Sequence, residues 1–303
     1  MPIVFAAPLA APSGSSGFQS LFMSWTGFDG SVWDLSDPRG AVPGMGPGVK
    51  GLHMPAMTVY KSETPLVPGV DLMGYRIGER SVYWPLVFAA KNVDDWEAKY
   101  AGFFDSVHPI RPGIWTVGAG DKARTLPLTG QFAGDYAFTR DPFGTGRALI
   151  GVELTAPRPL WRGKPIRKTF YAEADVDFIP DEPGDDYYPT PIATFAKAEI
   201  DNPGNEPAYL TWIVNGPQDT GLELGVDGAV IEVPFPVADG SVLKIDTDPA
   251  GQFATLDEVD VTSTLGFQIF GPVPSRGTSP LTITTSGTGS VTAELVPLHW
   301  RAF

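Results

Sequence analysis

Glycine and proline punctuate this chain so often that few long regular elements can form in it. The 303 residues include 35 glycines and 31 prolines, well above the usual combined share of about 12%. They are scattered without a period, so they read as turns between short strands rather than as a fibrous or low-complexity sequence. Aromatic residues make up 12% of the chain, which is too apolar for a disordered one. The expected class is mainly β: an all-β architecture with one helix.

The first half fits this reading. Short apolar stretches alternate with turns over 21–37, and Asp29-Gly30 between Trp25 and Trp33 is a hairpin signal. Alternation predicts a strand over 52–60, a long one over 74–90, and others at 113–118, 124–130 and 146–156. The helix is expected from Val93 to Ser106. Asn92 can cap it, Asp94, Asp95 and Glu97 suit its positive end, and Val93, Trp96, Tyr100, Phe103 and Phe104 recur on one face. Five of the eight tryptophans (Trp33, Trp84, Trp96, Trp115 and Trp161) stand in such elements with hardly a catalytic group nearby. Large apolar anchors on a turn-rich frame suit an assembly component.

Charge divides the chain near residue 170. The net charge of −14 is the sum of +3 over residues 1–170 and −17 over 171–303. An acidic second half does not bind nucleic acid or anionic lipid by charge. The division expected is a first domain over 1–168, an acidic Pro-rich linker over 169–191, and a second domain over 192–303. In the second domain nine short strands are predicted, at 193–200, 208–214, 222–226, 229–233, 241–246, 252–256, 265–270, 280–285 and 290–296, which describes a β-sandwich or jelly roll.

Chemistry is sparse. The absence of cysteine excludes disulfides and thiolate metal sites. His53, His108 and His299 are scattered, and His108-Pro109 reads as a helix terminator. Acidic pairs such as Asp181/Glu182 and Asp185/Asp186 lack calcium-loop spacing and read as solvated loop charge. Gly14-Ser15-Ser16-Gly17 is not a nucleophile elbow, and Gly44 to Gly48 lacks the Lys-Ser/Thr of a phosphate loop. No cofactor, metal or catalytic residue is expected, and the chain is not read as an enzyme. The apolar run 3–11 lacks a preceding cation and is broken by Pro8, so it is not read as a secretory signal. No stretch is long enough for a membrane helix. Trp212 and Trp300 are the candidate sugar-stacking residues of the second half, although Trp212 shares a strand face with Leu210 and Val214, as a core residue would. The basic run Arg158, Arg162, Lys164, Arg167 and Lys168 suits a salt-bridged seam to the acidic half or to a neighbouring subunit.

An ordered set of segments adds a resemblance. These are 30–35 (GSVWDL), 51–55 (GLHMP), Arg76, Arg80, Trp84-Pro85, Trp96, His108-Pro109, 113–117 (GIWTV), Arg124-Thr125-Leu126, Pro159-Leu160-Trp161 with Gly163, 202–217 (NPGNEPAYLTWIVNGP) and 240–247 (GSVLKIDT). The succession resembles the distal tail (Dit) proteins, often called minor tail proteins, of siphoviruses infecting actinobacteria. That resemblance implies an N-terminal ring-forming belt domain, a C-terminal galectin-like β-sandwich and a hexameric ring at the tail tip of the virion. It implies as partners other copies of the chain, the tail tube protein, the tape measure protein and the tip or hub proteins. DNA would pass through the bore unbound, and no membrane contact is implied. The candidate interface residues are Trp33, Leu35, His53, Arg76, Arg80, Trp84, Arg158, Trp161 and Arg162. The readings from other classes are a carbohydrate-binding module on the host envelope and a polysaccharide-degrading enzyme.

Overall fold

The computed structural model describes residues 21–36, 43–66, 68–131, 141–171, 193–194, 198–285 and 287–303. The chain is mainly β, as expected, with its buried residues in two separate cores.

The first core lies under a nine-stranded sheet. Its main path runs Val32–Asp34, Met23–Thr26, Gly113–Val117, Arg124–Gly130, Arg147–Ala156, Arg80–Ala89, Gly44–Met45. The strands are antiparallel, and inward residues alternate with outward ones along them, as in Gly113–Val117. Turn chemistry fixes the first hairpin: Gly30 has φ +84°, and the Asp29 carboxylate accepts from the Ser31 N–H and hydroxyl. Four fully buried tryptophans run through this core in a row. Ring centroids are 5.4 Å apart for Trp25–Trp84, 5.2 Å for Trp84–Trp115 and 5.0 Å for Trp115–Trp161. Gly113 makes room for the row, since a Cβ there would lie 2.3 Å from the Trp25 ring.

The helix runs Val93–Asp105, with the Asn92 side chain accepting from the Asp95 N–H at 2.8 Å. Phe103 is fully buried against Phe88 and Trp33. Trp96 stacks on Tyr100 and meets Phe143.

The second core is sandwiched between two sheets. One has the order Ile166–Tyr171, Ser290–Leu295, Leu210–Asn215, Val242–Asp246, Phe253–Leu256, Val259–Asp260. The other joins Ala193–Thr194, Gly277–Thr285, Leu222–Val226 and Ala229–Val233, with Glu199–Asn202 also paired to Gly277–Thr285. Trp212, Leu224, Ile245, Ile283 and Ala293 are among the residues that meet between them.

Four expectations change. The strand expected over 52–60 begins only at Met57, because 51–53 bend and Gly51 is left-handed. The strand expected over 74–90 is two, Asp71–Ile77 and Arg80–Ala89, with Gly78-Glu79 between them. Residues 265–270 are not a strand: a short helix, Thr262–Leu265, ends at left-handed Gly266, and Gln268 then binds the edge of Ala229–Val233 with its side chain. The strand Ile166–Tyr171 belongs to the sandwich, so residues 169–171 are strand rather than linker. Most of 169–191, the acidic pairs at 181–186 and the segment 14–17 lie outside the described residues.

Candidate assembly surfaces

Two surfaces emerge: a seam that locks the two halves together, and a hairpin that stands apart from both cores. The seam is built from chain ends. Leu298–His299 pairs with Trp161–Arg162, which in turn pairs with Arg124–Gly130, so residues from the far end of the chain extend the first sheet. Ala302 is buried in the first core, and its N–H donates to the Leu52 carbonyl at 2.9 Å. Arg80 is only 2% exposed. Its guanidinium donates to the carbonyls of Pro159 (2.7 Å), Gly51 (2.8 Å), Trp300 (2.8 Å) and His53. One planar fork of five N–H donors thus ties three distant segments together. Burial lowers its pKa to about 10, which leaves it charged at neutral pH.

Glu206 supports the same seam. One of its oxygens accepts from the Tyr75 hydroxyl at 2.8 Å and from the Trp300 indole N–H at 2.6 Å. The Tyr75 hydroxyl is pushed above its ordinary pKa, chiefly by the hydrogen bond to Glu206. The basic run beyond residue 157 is salt-bridged as expected in part. Arg167 pairs with Glu294, Arg158 lies 3.9 Å from Asp248, and Lys164 pairs with Asp121.

The hairpin pairs Met57–Ser62 with Asp71–Ile77 and joins no other strand among the described residues. Nearly every residue of it is exposed, including Val59, Tyr60, Leu72, Met73 and Tyr75, and Leu66 beyond the first strand is 95% exposed. A two-stranded ribbon is marginal by itself in water, and apolar side chains on such a ribbon suit contact with another chain. On the sandwich, Phe267 and Ile269 also face solvent.

The candidate interface residues separate by burial. Leu35, Arg80, Trp84 and Trp161 are corrected: they lie inside the first half, where their own core and the Arg80 clamp occupy them, so a neighbouring copy has no access to their side chains. Trp33 and Arg162 are half-buried, while His53, Arg76 and Arg158 are exposed. Of the hairpin's apolar residues, Val59, Tyr60 and Tyr75 lie within the strands expected at 52–60 and 74–90, whereas Leu66, Leu72 and Met73 lie outside both. Their signal was the Gly69, Gly74 and Gly78 spacing that isolates 71–77.

The histidines stay apart. His53 meets the Phe303 ring, and His108 accepts from the N–H groups of Ile110 and Arg111 through Nδ1, so it holds the turn after the helix. Among the described residues there is no cluster of three potential metal ligands. Trp212 is buried, so it is not open to a sugar.

No known sequence family and no curated protein matches the chain. Solved structures do. The Dit protein of phage SPP1, described as a paradigm of the hub adsorption apparatus in phages infecting Gram-positive bacteria, matches with a TM-score of 0.60. The match covers 92% of this chain and 99% of that one at 13% identity. The fold is that of a Dit protein. The phage P2 baseplate in its activated conformation matches at TM-score 0.54, with 9% identity and coverage of 91% and 98% in the calcium form. In the strontium form the identity is 10% and the coverage 92% and 98%. Coverage this high takes in residues of both halves, so the likeness is not confined to one of them.

Proposed function

We propose that this chain is a structural subunit of a phage tail tip that closes into a ring, most simply a hexamer, between the tail tube and the hub or baseplate. The observation that carries this reading is the near end-to-end match to the SPP1 Dit protein. In this reading the chain performs no catalysis. Its work is to repeat one heterologous contact around a closed circle. We assign that contact to the first half, where the hairpin Met57–Ser62 with Asp71–Ile77 offers exposed apolar residues at nearly balanced charge. Trp33, His53, Arg76, Arg158 and Arg162 remain the candidate contact residues of the earlier set. The sandwich, carrying most of the negative charge, hangs outside, because six such copies packed together would repel. Tube, tape measure and hub proteins are its neighbours, and DNA slides through a bore whose lining is acidic or neutral on balance.

Electron microscopy of the purified full-length protein tests this directly. Closed rings are expected. A protein that stays monomeric at all concentrations, alone and with its tube protein, would refute the reading.

A further inference from the structure

The exposed hairpin is clamped at its root and tied again further out. Gly51 and His53, whose carbonyls Arg80 holds, come just before it, and Arg80 itself comes just after. The Gly78 N–H donates to the Ala56 carbonyl at 2.9 Å and closes the base. Between this clamp and the paired strands run Met54-Pro55-Ala56 on one side and Gly78-Glu79 on the other. Met54, Ala56 and Glu79 are exposed, and a cavity of about 490 Å³ opens beside them. A Cβ on Gly78 would touch nothing nearer than 3.7 Å. Short, loosely packed connections of this kind are where a ribbon pivots as one piece.

The outer tie is Tyr75. It pairs with Val59, and Met57 and Ile77 lie on the same, apolar face of the ribbon. Its hydroxyl donates to the same Glu206 oxygen that accepts from the Trp300 indole. Glu206 is itself fixed in place. Its carbonyl accepts from the side chain of buried Asn202 at 3.0 Å, and its backbone bridges Leu298. The Trp300 carbonyl in turn accepts from Arg80. Tyr75, Glu206, Trp300 and Arg80 thus form a closed circuit, from the ribbon to the second half and back to the ribbon's root.

We propose that Glu206 is a positioning residue for the hairpin: through Tyr75 it sets the direction in which the ribbon leaves the protein, and so makes ring closure depend on the second half although the contact lies in the first. The inference rests on the assignment of the ring contact to the hairpin. A ribbon free to pivot must give up that freedom when a neighbouring copy binds it, and the loss weakens association. A ribbon already held by a bond to a carboxylate, which is stronger than a bond between neutral groups, loses less.

Tyr75→Phe isolates the tie, since it removes one hydroxyl from a side chain that is 50% exposed and leaves the ring in place. In the full-length protein, kept dilute enough to be monomeric, it should speed hydrogen exchange in 57–62 and 71–77 about tenfold, as loss of a bond to a charged acceptor does. Exchange in Gly113–Val117 and Leu210–Asn215, one strand from each core, should not change. The concentration at which half the protein is assembled, read by light scattering, should rise by a similar factor. Glu206→Gln keeps an acceptor oxygen and should stay near the parent in both measurements, whereas Glu206→Leu should match Tyr75→Phe. Unaltered hairpin exchange in Tyr75→Phe, equal acceleration in both cores, or a loosened hairpin that still assembles at the parental concentration would overturn the proposal. A parent that never assembles refutes the ring reading instead, and hairpin exchange then decides by itself whether Glu206 holds the ribbon.

Discussion

Arg80 carries its charge into the protein interior with four carbonyl oxygens around it and no ion pair among the described residues. A lysine there keeps the charge but replaces the fork by a point, so it cannot reach three segments together. Arg80→Lys should cost about 2–4 kcal/mol in chemical denaturation, because buried carbonyls are left unpaired. His299 gives a pH signature. Its folded pKa of about 4 lies below the ordinary 6.5, so the unfolded chain takes up a proton that the folded one refuses. Stability from this group is intact above pH 6.5 and declines as pH falls toward 4, by about 2 kcal/mol at most. Urea midpoints at pH 7 and pH 5 should differ less in His299→Asn than in the parent. Neither role could be read from sequence. Arg80 looks in sequence like a surface cation on an alternating strand, and only its carbonyl partners, 27 to 220 positions away, make it structural.

The helix shows what local sequence does specify. Its cap, its acidic first turn and its apolar face are all contained in 92–106, and the structure follows them except at Val93, which is exposed. Phe103→Ala should cost about 3–5 kcal/mol by cavity formation, and Asn92→Ala about 1 kcal/mol by loss of the cap, both measured by thermal melts. Trp96→Ala is expected in the same range as Phe103→Ala. Most of the sandwich strands were equally legible because alternation and turns are local. What was not legible was partnership. Residues 71–77 alternate like a core strand, but no sheet receives them. Residues 265–270 are apolar like a strand, yet left-handed Gly266 and the Gln268 side chain, which occupies the strand edge where a backbone would pair, turn them into an edge cover. The aromatic site candidates divide the same way: Trp84 and Trp161 anchor their own core, and Trp33 is half-buried against Phe103.

At the scale of the molecule, the two halves are joined by more than a tether. A chain cut at 168 loses Leu298–His299 and Ala302 from its first sheet and core, and also divides Ile166–Tyr171, so the ring is best tested in the full chain. If the hairpin makes the ring contact, Leu72→Asp, at a position 71% exposed, should give monomers in light scattering while leaving the melting temperature of the monomer unchanged. Rings that persist in that variant would move the contact elsewhere.

The late residues at the seam also set an order in time. Every other strand of the first sheet lies before residue 163, whereas its closing pair is made from residues 298–299. A chain still on the ribosome therefore carries a first half with an open flank until the sandwich has emerged. We expect the seam to act as a check on unfinished chains: those stopped before Leu298 should be cut readily by protease near Trp161, while full-length chains resist.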